Sequence, residues 1–153
     1  MMVQDRYFYD PVAGNYTVDR YVDDLERRYG GIDSVLIWPT HPNMGIDNRN
    51  QHDLIRSMPG GVAGVRQMIA DFHRRGVRVL FPMMLWDQGT RQPEQSWSDE
   101  IANLMAQIGA DGINGDTQDG VPPWHSRWPR TKSATRSFSN PRTVHRTKRS
   151  PGT

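Results

Sequence analysis

The sequence predicts an α/β fold of parallel strands joined by helical crossovers. Three observations carry this. Helical and strand-type patterns alternate between residues 17 and 120 in the order α-β-α-β-α-β. The strand runs are short and continuously apolar, as expected where both faces of a sheet are covered. The connections are also asymmetric: helix-to-strand links take a few residues, whereas strand-to-helix links take roughly 14 to 23.

Residues 1–16 contain Tyr7, Phe8, Tyr9, Pro11 and Gly14 and read as an extended lead-in. The first helix is predicted over Thr17 to Tyr29, with Val18, Tyr21, Val22, Leu25 and Tyr29 on one face. Thr17 is placed to cap it and Gly30 to stop it. Ser34 to Trp38 is the first strand, ended by Pro39. A long polar connection follows to Pro59-Gly60-Gly61, with a helical turn near Gln51 to Arg56.

The second helix is predicted from Val62 to Arg75, burying Val62, Val65, Ile69 and Phe72, with Gly76 in the left-handed position after it. The strand Val77 to Phe81 starts at once, and Pro82 to Gln95 read as a second long loop. Ser96 caps the last helix, with Asp99 in its first turn. Ile101, Leu104, Met105 and Ile108 form its apolar face, and Gly109 closes it. The final strand spans Gly112 to Gly115 and carries a polar tip of Asp116, Thr117 and Asp119.

At 153 residues the chain fits one domain. A mean hydropathy of -0.76 and 35% hydrophobic residues give it a modest core. No cysteine is present, which excludes disulfides and thiolate metal sites. No run of 18 apolar residues is found, so no membrane span is expected. The N-terminus lacks a basic segment followed by an apolar one, so no signal peptide is read and localisation stays open.

The net charge of +2 hides a division. Residues 121–153 hold 8 Lys and Arg and no acid; the other 11 basic residues, all Arg, face all 17 acids, leaving the body at -6. A uniformly nucleic-acid-binding body is therefore not expected. The tail lacks helical or strand periodicity and reads as a disordered basic segment, 121–153. It has three readings: an arm for nucleic acid, an end with no role, or a segment outside the gene's proper frame. Read from the third base of each codon from Pro123 onward, with suitable choices at the free base, the tail regains acids and apolar residues at helix-compatible spacing.

The strand-to-helix loops all emerge at the carboxyl ends of the strands, where α/β proteins place their chemistry. Asp116 at such a tip is the candidate catalytic carboxylate, as nucleophile or base. The competing reading is a loop Asp that closes a turn. Trp38 and Trp86-Asp87 stand at strand ends, where an aromatic platform beside a carboxylate suits a sugar ring; either Trp could equally pack a loop. Asp47 and Arg49 sit in a polar cluster able to bond a polyol or to build turns. His41, Asn114 and Asp119 complete the candidate binding set.

His41, His52 and His73 have no metal-ligand spacing, and His73 is expected to face solvent. Pro59-Gly-Gly-Val-Ala-Gly64 lacks the Lys-Ser/Thr of a phosphate loop and follows no strand, so it reads as the start of a helix. No Gly-x-Ser-x-Gly elbow is present. No metal and no cofactor are expected.

Residues 17–120 resemble the glycoside hydrolase-type (β/α)8 barrels of the α-galactosidase and α-glucosidase-like group. The likeness rests on Ile37-Trp38-Pro39 ending an early strand and on Pro59-Gly-Gly61 before a helix ending Phe72-His-Arg-Arg-Gly76. It rests also on Val77 to Phe81 and on Ala110-Asp-Gly-Ile-Asn-Gly-Asp116. It implies a partial TIM barrel of three or four βα units, a carbohydrate substrate, and Asp116 in the nucleophile's place. In that group a Lys commonly precedes the Asp; here Asn114-Gly115 does. A full barrel needs about 250 residues, and the acid/base partner of the group lies later in the barrel. The expectation is therefore a fragment that is inactive alone. Two rivals stand beside it: an α/β-barrel enzyme of another class, and a binding protein with a basic arm. The absence of any Lys from residues 1–120 argues against Schiff-base chemistry.

Overall fold

The computed structural model describes residues 7–84 and 91–116. These form a mixed α/β structure with two small sheets that do not close into a barrel. The basic tail lies outside the described residues.

A short antiparallel hairpin, β1 (Tyr9–Asp10) and β2 (Asn15–Tyr16), opens the chain. It is an integral part of the core, because Phe8 is fully buried and its ring meets those of Tyr16, Tyr21 and Phe72 at 5.3, 5.8 and 5.7 Å. Helix α1 (Val18–Tyr29) follows. Thr17 occupies its N-cap position, but its hydroxyl donates instead to the Tyr7 carbonyl at 2.7 Å, fastening the hairpin. Gly30 ends α1 in the left-handed conformation. Val18 and Val22 carry the packing of α1, while Tyr29 in the last turn is exposed.

The main sheet is parallel and ordered β3 (Ser34–Leu36), β4 (Arg78–Met84), β5 (Gly112–Asp116). Helix α2 (Gln51–Arg56) and helix α3 (Gly61–Arg74) lie between β3 and β4, and α4 (Trp97–Ile108) lies between β4 and β5. Val35, Ile37, Val79, Phe81 and Met83 point into one core, filled from α3 by Val65, Met68, Ile69 and Phe72 and from α4 by Ile101, Leu104, Met105 and Ile108. The alternation of strand side chains puts Leu36, Leu80, Pro82, Met84, Gly112, Asn114 and Asp116 on the opposite face.

Two strand boundaries differ from expectation, for one reason. The Ile37 N–H donates to the Leu80 carbonyl at 2.9 Å, and Leu36 pairs with Leu80. The next two ladder bonds would be donated by the amides of Pro82 and Pro39, which have no hydrogen to give. So β3 stops at Leu36 rather than Trp38. Strand β4 does not stop at Phe81, nor does its loop begin at Pro82. The strand runs on to Met84 because its other side stays paired: Pro82 with Asn114, Met83 with Gly115 and Met84 with Asp116. Pro82 is tolerated because its donor-free side faces the place where β3 has already departed.

The Pro59-Gly60-Gly61 segment does start a helix. Gly60, at φ +79, is the left-handed residue before α3. Gly64 packs so closely under the Pro59 carbonyl that a Cβ there would lie 2.7 Å from its oxygen. The same oxygen accepts the Tyr16 hydroxyl at 3.0 Å. The last turn of α3 is held to α1 by Arg75, whose guanidinium meets Asp19 at 3.1 Å, Asp23 at 2.7 Å and Glu26 at 3.2 Å. Among the described residues, no helix is long and apolar enough to cross a membrane.

Candidate functional site

The carboxyl end of the main sheet is where β3 and β4 part. Gln51, the first residue of α2, enters the gap. Its Nε2–H donates to the Met84 carbonyl at 2.6 Å, and its Oε1 accepts the Met84 N–H at 2.9 Å. One side-chain amide thus replaces the strand peptide that the two prolines remove. Met84 in turn pairs with Asp116, so Gln51, Met84 and Asp116 lie in a row across the end of the sheet.

Asp116 is the last residue of β5 and half-buried, with Asn114 exposed two residues before it on the same face. Trp38, just past β3, is half-buried, and its indole N–H donates to His41 Nδ1, the rings lying 5.0 Å apart. His41 opens a short 3-10 turn, His41–Asn43, whose Asn43 amide donates to the Pro39 carbonyl at 2.7 Å. Thr40 is fully buried, and its hydroxyl has no hydrogen-bond partner.

Asp47 and Arg49 bond each other. The Arg49 Nε–H lies 2.9 Å from both carboxylate oxygens, and the Arg49 backbone N–H donates to Oδ1 at 2.9 Å. These contacts hold the Asp47 carboxyl below its ordinary pKa, the Arg49 side chain first and its backbone amide second. The pair builds a turn. Trp86, Asp87 and Asp119 lie outside the described residues.

Beside this row lies a polar cleft of about 370 Å³, between α2, the start of α4 and residues 91–95. Asn50 organises its rim: Oδ1 accepts the Asp53 N–H at 2.9 Å, and Nδ2–H donates to the Arg91 carbonyl at 2.9 Å. Arg56 meets the buried Glu100 at 2.5 Å, tying α2 to α4, and Gln95 donates to the same carboxylate at 3.1 Å. Asp53 Oδ2 is buried without a hydrogen bond, with Arg91 Nε 3.8 Å away.

His52 lies fully buried beside these groups, its ring 4.7 Å from that of Trp97 and both its nitrogens without a hydrogen-bond partner. Burial lowers its pKa to about 4, partly opposed by the Glu100 charge, so it is neutral at pH 7. His73 faces solvent in part and bonds Asp111 at 2.7 Å, at the other end of the sheet. Among the described residues, no group of three or more His, Asp or Glu side chains could hold a metal ion.

Gln51, His52, Asp53, Arg56, Arg91 and Glu100 escape a reading by motif. One signal was available. Gln51 and His52 fall three or four residues before the buried Leu54 and Ile55, on the inward face of the short helix. Two polar side chains on a buried helical face mark a polar interior. The chain matches no protein-family model and no curated protein sequence.

Proposed function

We propose that the described residues form a sector of a glycoside hydrolase-type (β/α)8 barrel whose carboxyl face binds a carbohydrate. The observation that carries this reading is the position of Asp116, the last residue of the last strand in a parallel sheet ordered as in the chain. Its support is threefold. Helices pack on one face of the sheet, leaving the other, with Asn114 and Asp116, as the side that a barrel turns inward. The ends of β3 and β4 part at that same edge. Trp38 and His41 offer an aromatic surface with ring nitrogens there, suited to a sugar's C–H face.

In this reading Asp116 accepts hydroxyl hydrogens or approaches an anomeric carbon. Hydrolysis needs a second carboxylate beside the first, and β3 and β4 carry no acid. In this reading the described strands of the main sheet supply one carboxylate of the two, and the chain binds sugar without cleaving it. Incubation with p-nitrophenyl α-D-galactopyranoside and α-D-glucopyranoside tests this. Saturable binding without nitrophenol release is expected. Turnover abolished by Asp116→Asn contradicts the inactivity, and absence of binding contradicts the carbohydrate reading.

A further inference from the structure

The contact between Trp38 and His41 fixes more than an aromatic surface. The backbone on either side holds both residues. Ile37 is fully buried, and its N–H donates to the Leu80 carbonyl at 2.9 Å. Pro39 disfavours a helical conformation at Trp38, the residue before it. The carbonyl of the buried Thr40 accepts the N–H groups of Asn43 at 2.9 Å and Met44 at 3.0 Å. These bonds close the turn that carries His41, and the Asn43 side chain ties it to the Pro39 carbonyl at 2.7 Å. Trp38 and His41 thus flank a buried Pro39-Thr40 pair, with their rings 5.0 Å apart and tilted by 47°.

The chemistry of the two rings sets the position of one hydrogen. An indole N–H only donates. His41 Nδ1, which it meets, therefore accepts. A neutral imidazole carries a single hydrogen, so with Nδ1 accepting it lies on Nε2. An imidazolium has a hydrogen on each nitrogen and accepts none. The same contact holds the ring against a half-turn about its Cβ–Cγ bond, which would put a carbon where Nδ1 stands. Nε2 is the ring nitrogen farther from the backbone, and His41 is exposed. A solute at the carboxyl end of the sheet can reach it.

We infer that Trp38 is a positioning residue that fixes His41 as a neutral ring donating through Nε2–H to an acceptor oxygen of the ligand. That this oxygen belongs to a sugar rests on the carbohydrate reading above; the pairing of Trp38 with His41 does not. A sugar hydroxyl both donates and accepts. One ligand thus supplies a hydrogen to the Asp116 carboxylate and an oxygen to His41.

The test is long-range ¹H–¹⁵N correlation of the ¹⁵N-labelled full chain at about pH 8, where an ordinary histidine is neutral. His41→Gln assigns the His41 signals by deleting them. Wild-type His41 is expected to show Nδ1 without a hydrogen and Nε2 with one. Trp38→Phe keeps an aromatic ring and removes the indole hydrogen. In that variant the two nitrogen signals should move towards each other as the tautomers mix. Methyl α-D-galactopyranoside or methyl α-D-glucopyranoside should shift the wild-type Nε2 signal saturably, with affinity about threefold weaker in Trp38→Phe. The wild-type spectrum alone decides the tautomer if Trp38→Phe does not fold. A hydrogen on Nδ1, or the same pattern in Trp38→Phe, overturns the inference whatever the sugars do. Sugar shifts at Asp116 that leave Nε2 unmoved overturn it and leave the earlier reading standing. The expected tautomer with no sugar shift anywhere supports the pairing and counts against the carbohydrate reading.

Discussion

The side chain of Gln51 holds Met84 by both of its backbone polar groups, donating to the carbonyl at 2.6 Å and accepting from the amide at 2.9 Å. This contact compensates for a missing strand. Pro39 and Pro82 end the β3–β4 ladder, and without Gln51 the buried peptide groups of Met84 lose those bonds.

Gln51→Ala is therefore expected to destabilise the fold by about 2–4 kcal/mol, the cost of leaving two buried polar groups unpaired. Urea denaturation measures it. A loss of less than about 0.5 kcal/mol would mean that water or another group replaces the amide at little cost.

His52 gives a pH dependence whose sign is fixed by burial. Its pKa falls from 6.5 to about 4 on folding, so between those values the unfolded chain binds the proton more readily. The contribution of His52 to stability is complete above about pH 6.5 and declines as the pH drops towards 4, by about 3 kcal/mol in all. His52→Phe keeps an aromatic ring against Trp97 and removes both unpartnered nitrogens. The variant should match or exceed wild-type stability at pH 7, and its advantage should grow at pH 4.5. Parallel stability curves for the two proteins would rule out a neutral, buried His52.

Gly64 and Tyr16 meet on one oxygen, the Pro59 carbonyl. Gly64→Ala forces a Cβ against it and should cost about 1–3 kcal/mol. Tyr16→Phe removes one hydrogen bond and should cost about 1 kcal/mol. Because the Ala methyl must displace the carbonyl that Tyr16 holds, the double variant should lose less than the two single losses combined. Strict additivity in thermal or urea unfolding would separate the two contacts.

Arg75 is the hub between α1 and α3, bonded to Asp19, Asp23 and Glu26. These carboxylates raise its pKa further above its ordinary value, Asp23 first. The acids lie largely in solvent, so salt should weaken the network. The Tm gap between wild type and Arg75→Ala should narrow as NaCl rises to about 1 M, where the screening length is about 3 Å. A gap independent of salt would show that Arg75 acts through packing alone.

The order of helices and strands was legible because glycines and apolar spacing agree with the packing. Gly30 and Gly109 close their helices in left-handed conformations, and Ile101, Leu104, Met105 and Ile108 are all buried as their spacing predicts. The ends of β3 and β4 were not legible, because a proline in a run signals a break only when the partner strand is known. Pro82 lies within its strand and Pro39 beyond the end of its own, and only the register between them explains why. Asp116 was legible as a strand tip. The cleft was not, because Asp53, Arg91 and Glu100 come from three separate segments and share no spacing. The Asp47–Arg49 pair has the composition of a binding cluster but satisfies itself in a turn.

The carbohydrate reading of the Asp116 face is tested most directly by following the amides of Asn114 and Asp116 and the indole N–H of Trp38. The titrants are methyl α-D-galactopyranoside and methyl α-D-glucopyranoside, added to wild type and to Asp116→Asn. The account predicts saturable shifts at all three signals with one of the sugars, weakened about tenfold or more by Asp116→Asn. No saturable shift with either sugar, or affinity unchanged by Asp116→Asn, would contradict it.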